Sequence, residues 1–135
     1  MAKTFHLDII ASDHPFYSGD CETLVFPGLD GEFGILPNHE EMVTCVNEGE
    51  IRFKVDGEWR YAAVSTGFIE VISNKVILLS DTVERPEDID ANRAEEAKQR
   101  ALERLRQKQS IAEYYQTQAA LNRAMSRLKV TKKHN

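Results

Sequence analysis

Residues 51–62 read IRFKVDGEWRYA, and this stretch decides how the first part of the chain folds. From Ile51 to Val55 apolar and cationic residues alternate, which is typical of a β-strand with one buried face. Asp56-Gly57 fits a two-residue type I′ turn, because both central positions of that turn need a positive φ. Alternation resumes from Glu58 to Ala62, so the stretch predicts a β-hairpin.

The same pattern recurs on both sides of this hairpin. Residues 67–72 and 75–79 are strand-like, and the dipeptide Ser73-Asn74 lies between them as a turn. Residues 5–9 and 22–26 predict two further strands upstream. Short strands separated by turns indicate an antiparallel two-sheet β-sandwich or flattened barrel of about eight to ten strands, without a long helix.

The composition changes after Glu84. Residues 1–84 contain all 7 glycines and 5 Lys+Arg against 15 Asp+Glu, a net charge of −10. Residues 85–135 contain no glycine and 12 Lys+Arg against 7 Asp+Glu, a net charge of +5. We therefore predict a β-sandwich domain at 1–84 and a helical domain at 85–135. The opposite charges predict that the helical part has an electrostatic partner: the first part, a nucleotide, a nucleic acid or another protein.

The composition also excludes some classes of protein. A chain of 135 residues that is 41% hydrophobic and 29% charged is typical of a globular protein. It contains no run of 18 apolar residues and opens without the apolar core of a signal peptide, so we expect a cytoplasmic protein without a transmembrane segment. Cys21 and Cys45 are expected to be free thiols rather than a disulfide.

Two helices are predicted in the second part. Pro86-Glu87-Asp88 is a suitable helix entry, and Ser110 is a suitable cap for a second helix. The apolar stripe of the first helix is Ala94, Ala97, Ala101 and Leu105. That of the second is Ile111, Tyr114, Gln118, Leu121, Met125 and Leu128. Small alanines facing larger residues predict a close antiparallel two-helix hairpin that turns near residues 108–109.

Four arginines stand out in this hairpin. Arg93 and Arg100 share a helix face roughly 10 Å apart along the axis, and Arg123 and Arg127 are neighbours on the second helix. With a turn near 108–109, Arg93, Arg123 and Arg127 converge at the open end and Arg100 lies two turns deeper. A guanidinium group can donate two parallel hydrogen bonds to phosphate oxygens, so a polyphosphate is a suitable ligand for these arginines. A solvated basic face is an equal alternative, whereas nucleic acid is disfavoured because interleaved aromatics are missing and the pI is near 5.4.

Catalytic patterns are missing from the sequence. The glycines of residues 27–34 precede a proline rather than a helix, so this segment predicts tight turns around a short strand and not a phosphate loop. The four histidines lack metal-ligand spacing, and His39 is expected to be a surface or interface residue. With no nucleophile–base pair and no paired carboxylates, the sequence argues against an enzyme.

Four segments resemble the epsilon subunit of bacterial F-type ATP synthases. They are residues 27–39 (PGLDGEFGILPNH), 65–71 (STGFIEV), 89–94 (IDANRA) and 120–128 (ALNRAMSRL). The resemblance covers essentially the whole chain. It implies a ten-stranded sandwich that contacts the rotor c-ring through a loop centred on Glu32 and the gamma subunit near His39. It also implies a non-catalytic central-stalk subunit, peripheral on the cytoplasmic face of the membrane, that couples proton-driven rotation to ATP synthesis.

The resemblance further implies a mobile hairpin. In that family the hairpin either folds beside the sandwich or extends into the alpha/beta catalytic hexamer, where the beta subunits present an acidic segment and hydrolysis is inhibited. In bacillus-like members the folded hairpin binds ATP as a regulatory ligand, with no catalytic cofactor and with magnesium left open. The matching residues here are Glu84, Ile89, Asp90, Arg93, Ala94, Arg100, Arg123 and Arg127. Glu40-Glu41 and residues 112–115 depart from the relatives.

Two other functions are compatible with the residues. One is a free-standing ATP-sensing module without a rotary partner, which would not co-purify with a hexameric ATPase. The other is a small hydrolase that uses the arginines on a phosphorylated substrate, which phosphate release would reveal. The hydrolase ranks last, because no general base or metal site accompanies the arginines.

Overall fold

The computed structural model describes residues 3–107 and 110–134 and divides the chain into two compact units, Met1–Arg85 and Pro86–Asn135. Within the described residues the first unit contains ten strands, in agreement with the expected eight to ten. They are β1 (Phe5–Ala11), β2 (Pro15–Cys21), β3 (Thr23–Gly28), β4 (Gly31–Ile35), β5 (Met42–Val46), β6 (Gly49–Val55), β7 (Glu58–Val64), β8 (Gly67–Ile72), β9 (Lys75–Ser80) and β10 (Val83–Glu84).

The strands form two five-stranded sheets that face each other across one core. The first sheet has the order β2-β1-β9-β8-β5 and the second the order β10-β7-β6-β3-β4. Every pairing is antiparallel except that of β1 with β9, which is parallel. Alternate residues of each strand point into the core, where Leu7, Ile51 and Leu78 are fully buried. The predicted β-sandwich is confirmed.

The two predicted hairpins are also confirmed. Asp56 and Gly57 join β6 to β7 with φ values of 51° and 79°, as a type I′ turn requires. Ser73 and Asn74 join β8 to β9 with φ values of 50° and 61°. In the β8–β9 hairpin the register pairs Ile69 with Leu78 on the core side, whereas in the β6–β7 hairpin it pairs Phe53 with the exposed Arg60, so there the apolar faces match only in part.

The glycine-rich segment forms turns around a short strand, as predicted. Leu29-Asp30 connects β3 to β4, and a second turn at Pro37-Asn38 follows β4. Asn38 has a φ of 62°, and its backbone N–H donates to Oδ1 of Asn74 at 2.7 Å. The segment is therefore part of the sandwich and has no phosphate-loop geometry.

The second unit is a helical hairpin, which confirms the predicted fold class. It contains a short 3₁₀ helix (Pro86–Asp88), α1 (Ala91–Leu105) and α2 (Ile111–His134). A helix begins at Pro86 as predicted, but it is the short 3₁₀ helix. The first long helix, α1, begins after Asp90, which is extended and caps α1 through Oδ1, the acceptor of the Arg93 N–H at 3.0 Å. Ser110 caps α2, since its Oγ accepts from the Glu113 N–H at 3.2 Å. The predicted turn at 108–109 lies outside the described residues.

The contact face of α1 agrees with prediction and that of α2 agrees only in part. Ala94 and Ala101 are buried, as expected for the alanine stripe. On α2, however, Ile111, Tyr114 and Met125 are 78%, 45% and 49% exposed, so the predicted stripe was wrong at these three positions. The buried residues of α2 are Thr117, Leu121, Ala124 and Val130. Small residues on both helices permit a close approach of α1 and α2. No helix in the described part of the chain is long and apolar enough to cross a membrane.

Candidate functional site

The eight residues that match an ATP site are divided between the two units. Glu84 is the last residue of β10 and pairs with Ala63 of β7 in the sandwich. The other seven belong to the hairpin unit, where Ile89 and Asp90 precede α1 and the remaining five lie on the two helices.

Residues 89–94 build the first turn of α1. Ile89 is buried, and Ala94 has no exposed surface. The Asp90 carboxylate accepts the N–H of Arg93, and the Asp90 carbonyl accepts that of Ala94 at 3.0 Å. These bonds satisfy two N–H groups that every helix start leaves unpaired. Asp90 therefore has a structural role in this segment, independent of any ligand.

A cleft lies between α1 and α2, and we call it the arginine cleft. Its volume is about 370 Å³, within the range of small-molecule sites. Its lining consists of Ala97, Arg100, Ala101, Arg104, Gln116, Thr117, Ala120 and Arg123. The cleft brings together Arg100 and Arg123 from two helices, as a site for an anion requires.

The distribution of arginines along the hairpin differs from the sequence-based geometry. That geometry grouped Arg123 with Arg93 and Arg127 and placed Arg100 deeper. The arginine cleft instead groups Arg123 with Arg100, and neither Arg93 nor Arg127 is among its lining residues. Arg127 is half-buried and follows Arg123 by one helical turn. The helix bounds are close to the predicted ones, since α1 ends at Leu105 and α2 begins at Ile111, so the difference lies in which faces of the helices turn toward each other.

The chemistry of the arginine cleft is that of an anion site. Three of its lining residues are arginines and three are alanines, whose small side chains leave room for a ligand. Among the described residues that line it, none carries a carboxylate. Guanidinium groups are always charged and match the spacing of phosphate oxygens, so a polyphosphate is the best-fitting ligand class.

Arg104 is a lining residue that sequence reasoning missed. The spacing in the sequence could have identified it, because Arg104 follows Arg100 by four residues and therefore lies on the same helix face. Gln116 and Thr117 were missed for another reason: the predicted stripe of α2 placed the contact face one residue away from Thr117. The Thr117 hydroxyl donates to the Glu113 carbonyl at 2.9 Å, which allows this polar residue to be buried.

Glu32 and His39 lie on or beside β4 in the sandwich. Glu32 accepts a hydrogen bond from Nη1 of Arg52 at 2.7 Å and remains largely exposed. His39 Nδ1 lies 2.9 Å from the Glu40 carbonyl, and its ring packs edge-on against Phe33 with centroids 5.7 Å apart. Glu32 and Phe33 are consecutive residues of β4, so their side chains point to opposite faces of the second sheet, and His39 lies on the Phe33 side.

A second surface was missed by sequence reasoning, and we call it the apolar sheet face. It consists of large exposed apolar side chains on the outer side of the first sheet, namely Val43, Phe68, Ile72, Ile77 and Leu79. Phe68 is 60% exposed and pairs with both Cys45 of β5 and Leu79 of β9. The sequence indicates this surface through the near-continuous apolar run of β9. A strand with apolar side chains on both faces is expected to be covered on both faces.

Comparison with known proteins accounts for both units. A family model described as "ATP synthase, Delta/Epsilon chain, beta-sandwich domain" matches residues 4–86. A second, "ATP synthase, Delta/Epsilon chain, long alpha-helix domain", matches residues 87–132. The ATP synthase epsilon chain of Ruminiclostridium cellulolyticum is 45% identical over 128 residues, which are 95% of this chain and 96% of that protein. The chain belongs to the ATP synthase epsilon-chain family.

Other members of the epsilon-chain family show similar agreement. The ATP synthase epsilon chain of Caldanaerobacter subterraneus is 44% identical over 99% of this chain and 98% of its own length. Among solved structures, a chain of the Euglena gracilis mitochondrial ATP synthase has a TM-score of 0.82 at 20% identity and covers 93% of this chain and 80% of its own. The structural likeness shows that a chain of that complex shares the fold of this protein.

Proposed function

We propose that this chain is a non-catalytic central-stalk subunit of a bacterial F-type ATP synthase. It couples proton-driven rotation to ATP synthesis on the cytoplasmic face of the membrane, and ATP bound to its hairpin relieves inhibition of hydrolysis. Membership of the epsilon-chain family supports the first part of this proposal. The arginine cleft is the observation that supports the second.

ATP regulates the hairpin through the arginine cleft. Arg100 on α1 and Arg123 on α2 line the same cleft only while the two helices pack against each other. A polyphosphate that contacts both groups therefore stabilises the folded hairpin and not a hairpin whose helices have separated. In bacillus-like relatives the remaining ligands match Glu84, Ile89, Asp90, Arg93, Ala94 and Arg127 of this sequence, and we propose the same set here.

The size of the regulatory effect depends on the ratio of ATP concentration to Kd. Binding to one state shifts the equilibrium by RT ln(1 + [ATP]/Kd). This is ~0.4 kcal/mol when the concentration equals Kd and ~2.7 kcal/mol at a hundredfold excess. ATP thus acts as a switch if Kd lies well below the cellular concentration of ATP.

The partner surfaces follow from exposure and charge. The apolar sheet face is a suitable contact for the gamma subunit, because exposed apolar patches of this kind typically mark protein interfaces. Glu32 lies in strand β4 rather than in the expected loop, and we assign this exposed residue to the rotor c-ring contact and His39 to the gamma contact, as the family resemblance implies. A groove of about 490 Å³ on the hairpin is lined by Lys98, Lys129, Lys132 and Lys133 around Met125 and Leu128, with Glu95 as its carboxylate. Its charge suits the acidic segment of the beta subunits in the alpha/beta hexamer.

Titration calorimetry of the full chain with ATP tests the nucleotide site. Arg123→Ala and Arg93→Ala should each weaken ATP binding by about tenfold, because each removes a charge-assisted hydrogen bond to phosphate. Lys129→Ala is the matched control, since Lys129 is an exposed cation on α2 that does not line the arginine cleft. Its affinity should stay within about twofold of the parent. Equal affinities for Arg123→Ala and Lys129→Ala would remove Arg123 from the site.

Reconstitution tests the regulatory role. An ATP synthase that contains this chain should hydrolyse ATP more slowly at low ATP concentration than one that lacks it, and the difference should shrink as ATP rises. With Arg123→Ala the relief should require about tenfold more ATP. The isolated chain should release no phosphate from ATP, which separates a binding subunit from a hydrolase.

A further inference from the structure

The arginine cleft contains one guanidinium group more than the resemblance supplies. Arg100 and Arg104 are four residues apart on α1 and so project from the same helix face, opposite Arg123 on α2. Arg104 is exposed and lies in the last turn of α1. It lengthens the row of cations toward the end of α1.

In the described part of the chain none of these three arginines forms an ion pair with a carboxylate, whereas the neighbouring Arg106 lies 3.6 Å from a carboxylate oxygen of Glu103. Three cations that share one cleft repel each other, and a bound anion would relieve that repulsion. Arg100 and Arg104 lie about one turn, ~6 Å, apart along α1, and Arg123 lies on α2, so a chain of linked phosphates can contact all three.

The rest of the lining offers little that could recognise a base. Its other described members are three alanines, Gln116 and Thr117, with no aromatic ring for stacking. The Thr117 hydroxyl is already committed to the Glu113 carbonyl. The cleft is therefore built to contact phosphate oxygens rather than a nucleobase.

We infer that Arg104 is a phosphate-binding residue and that the arginine cleft recognises the polyphosphate chain of its ligand independently of any base. The inference rests on the proposed function only in taking the physiological ligand to be a nucleoside triphosphate. It goes further in predicting that inorganic tripolyphosphate occupies the same cleft and competes with ATP. It also makes Arg104 a determinant of the number of phosphates that the site prefers.

A purely structural role for Arg104 makes different predictions. A cation in the last turn of a helix interacts favourably with the negative end of the helix dipole. If this were the whole role of Arg104, its replacement would lower the stability of the hairpin slightly and leave ligand affinity unchanged. The dependence of affinity on phosphate number separates the two roles, because the dipole does not sense the ligand.

The test is titration calorimetry of the full chain with sodium tripolyphosphate, pyrophosphate and ATP. Arg104→Gln should weaken tripolyphosphate binding by about tenfold and pyrophosphate binding by clearly less, since the shorter anion reaches fewer arginines. Arg104→Lys should fall between the parent and Arg104→Gln, because it keeps the charge and loses the paired hydrogen bonds. Arg106→Gln is the matched control: it removes the same charge two residues away and outside the cleft lining.

The outcomes separate this inference from the proposed function. If Arg104→Gln and Arg106→Gln bind tripolyphosphate equally well, the inference fails, whatever the affinity for ATP. If the parent binds ATP but not tripolyphosphate, recognition of the phosphate chain fails and ATP regulation stands. If the parent binds tripolyphosphate but not ATP, and Arg104→Gln weakens that binding, the inference stands and ATP regulation fails. Binding of neither ligand overturns both.

Discussion

The side-chain oxygens of Ser65 and Ser80 lie 3.0 Å apart, and Ser80 is buried. Ser65 lies between β7 of the second sheet and β8 of the first, and Ser80 ends β9 of the first sheet. Ser80 Oγ also lies 2.9 Å from the carbonyl oxygens of Ser65 and Thr82, and the Thr82 N–H donates to Ser65 Oγ at 2.9 Å. These bonds join the two places where the chain crosses between sheets near residues 65 and 81.

Replacing Ser80 should destabilise the sandwich. Ser80→Ala removes a buried hydroxyl that lies within hydrogen-bond distance of two carbonyl oxygens and of the Ser65 hydroxyl, so the free energy of unfolding should fall by about 1–2 kcal/mol. Ser12→Ala is the control, because Ser12 also donates to a nearby carbonyl, that of Asp81, but is exposed. Its effect should stay within about 0.5 kcal/mol. Urea unfolding measures both, and equal effects would contradict the role assigned to Ser80.

Gly67 should not tolerate a side chain. A Cβ at this position would overlap the backbone carbonyl oxygen of Leu79, which lies in the neighbouring strand. Gly67→Ala must therefore displace backbone, and we expect a loss of about 3 kcal/mol or failure to fold. Gly34→Ala, in strand β4, has open space around the new methyl group and should change stability by less than about 1 kcal/mol. Thermal unfolding followed by circular dichroism compares the two, and similar melting temperatures would refute the predicted clash.

The two roles of Asp90, helix cap and candidate ATP ligand, can be separated. Asp90→Ala removes the cap of α1 and should cost about 1 kcal/mol of hairpin stability. Asp90→Ser keeps an oxygen that can accept the Arg93 N–H, so the hairpin should retain most of its stability. If ATP affinity falls in both variants, the carboxylate itself contacts the ligand. If Asp90→Ser binds ATP like the parent, the residue contributes only as a cap.

The two cysteines should react with a thiol reagent at very different rates. Cys45 is exposed, whereas Cys21 is buried and its Sγ lies 3.2 Å from the Thr23 carbonyl oxygen. Burial raises the pKa of the Cys21 thiol and so suppresses the reactive thiolate in the folded state. In a Cys45→Ser variant, labelling of Cys21 should therefore follow the rate or extent of unfolding. Fast labelling of Cys21 in the native protein would show that the core opens locally.

The same pKa shift predicts how stability depends on pH. Above the ordinary thiol pKa of about 8.5, Cys21 ionises in the unfolded chain and stays protonated in the native state. The unfolded state then binds fewer protons, so stability falls as pH rises through this range. Cys21→Ala should remove this part of the decline, which denaturant unfolding at pH 7 and pH 10 would measure. An unchanged pH dependence would contradict it.

The apolar sheet face should be required for assembly but not for folding. Phe68→Ser replaces a side chain that is 60% exposed, so the sandwich should unfold at nearly the same temperature as the parent. Binding to the gamma subunit should weaken by tenfold or more, because a central aromatic residue typically dominates such an interface. Trp59→Ser, on the second sheet, is the control for loss of an exposed aromatic residue. Co-purification with gamma compares them, and unchanged binding by Phe68→Ser would place gamma elsewhere.

The sandwich was predictable from sequence because its signals are local. Alternation and two-residue turns are read from neighbours in the chain, and Asp56-Gly57 and Ser73-Asn74 have the expected backbone angles. The order of strands was not predictable in this way. The parallel pairing of β1 with β9 joins residues about seventy positions apart, and the sequence of neither strand indicates which strand it pairs with.

In the helical hairpin, the helices themselves were predictable from sequence, but the face by which α2 packs against α1 was not. Its two helices and the cap at Ser110 were predicted, but the face of α2 was assigned by the size of its apolar residues. In the structure the alanines of α1 select small partners, so Thr117 and Ala124 are buried and Ile111 is exposed. The face of α2 that packs on α1 also decides which arginines share a cleft: Arg100 and Arg123 line the same one, whereas spacing alone placed Arg100 two turns deeper.

The parallel β1–β9 pairing also constrains how the chain folds during synthesis. β1 can pair with β2 soon after leaving the ribosome, but its other edge stays unsatisfied until β9 has emerged almost seventy residues later. Contacts of such wide sequence separation form slowly, and an open strand edge invites pairing with other chains. A nascent chain stalled before Lys75 is therefore the species most in need of a chaperone.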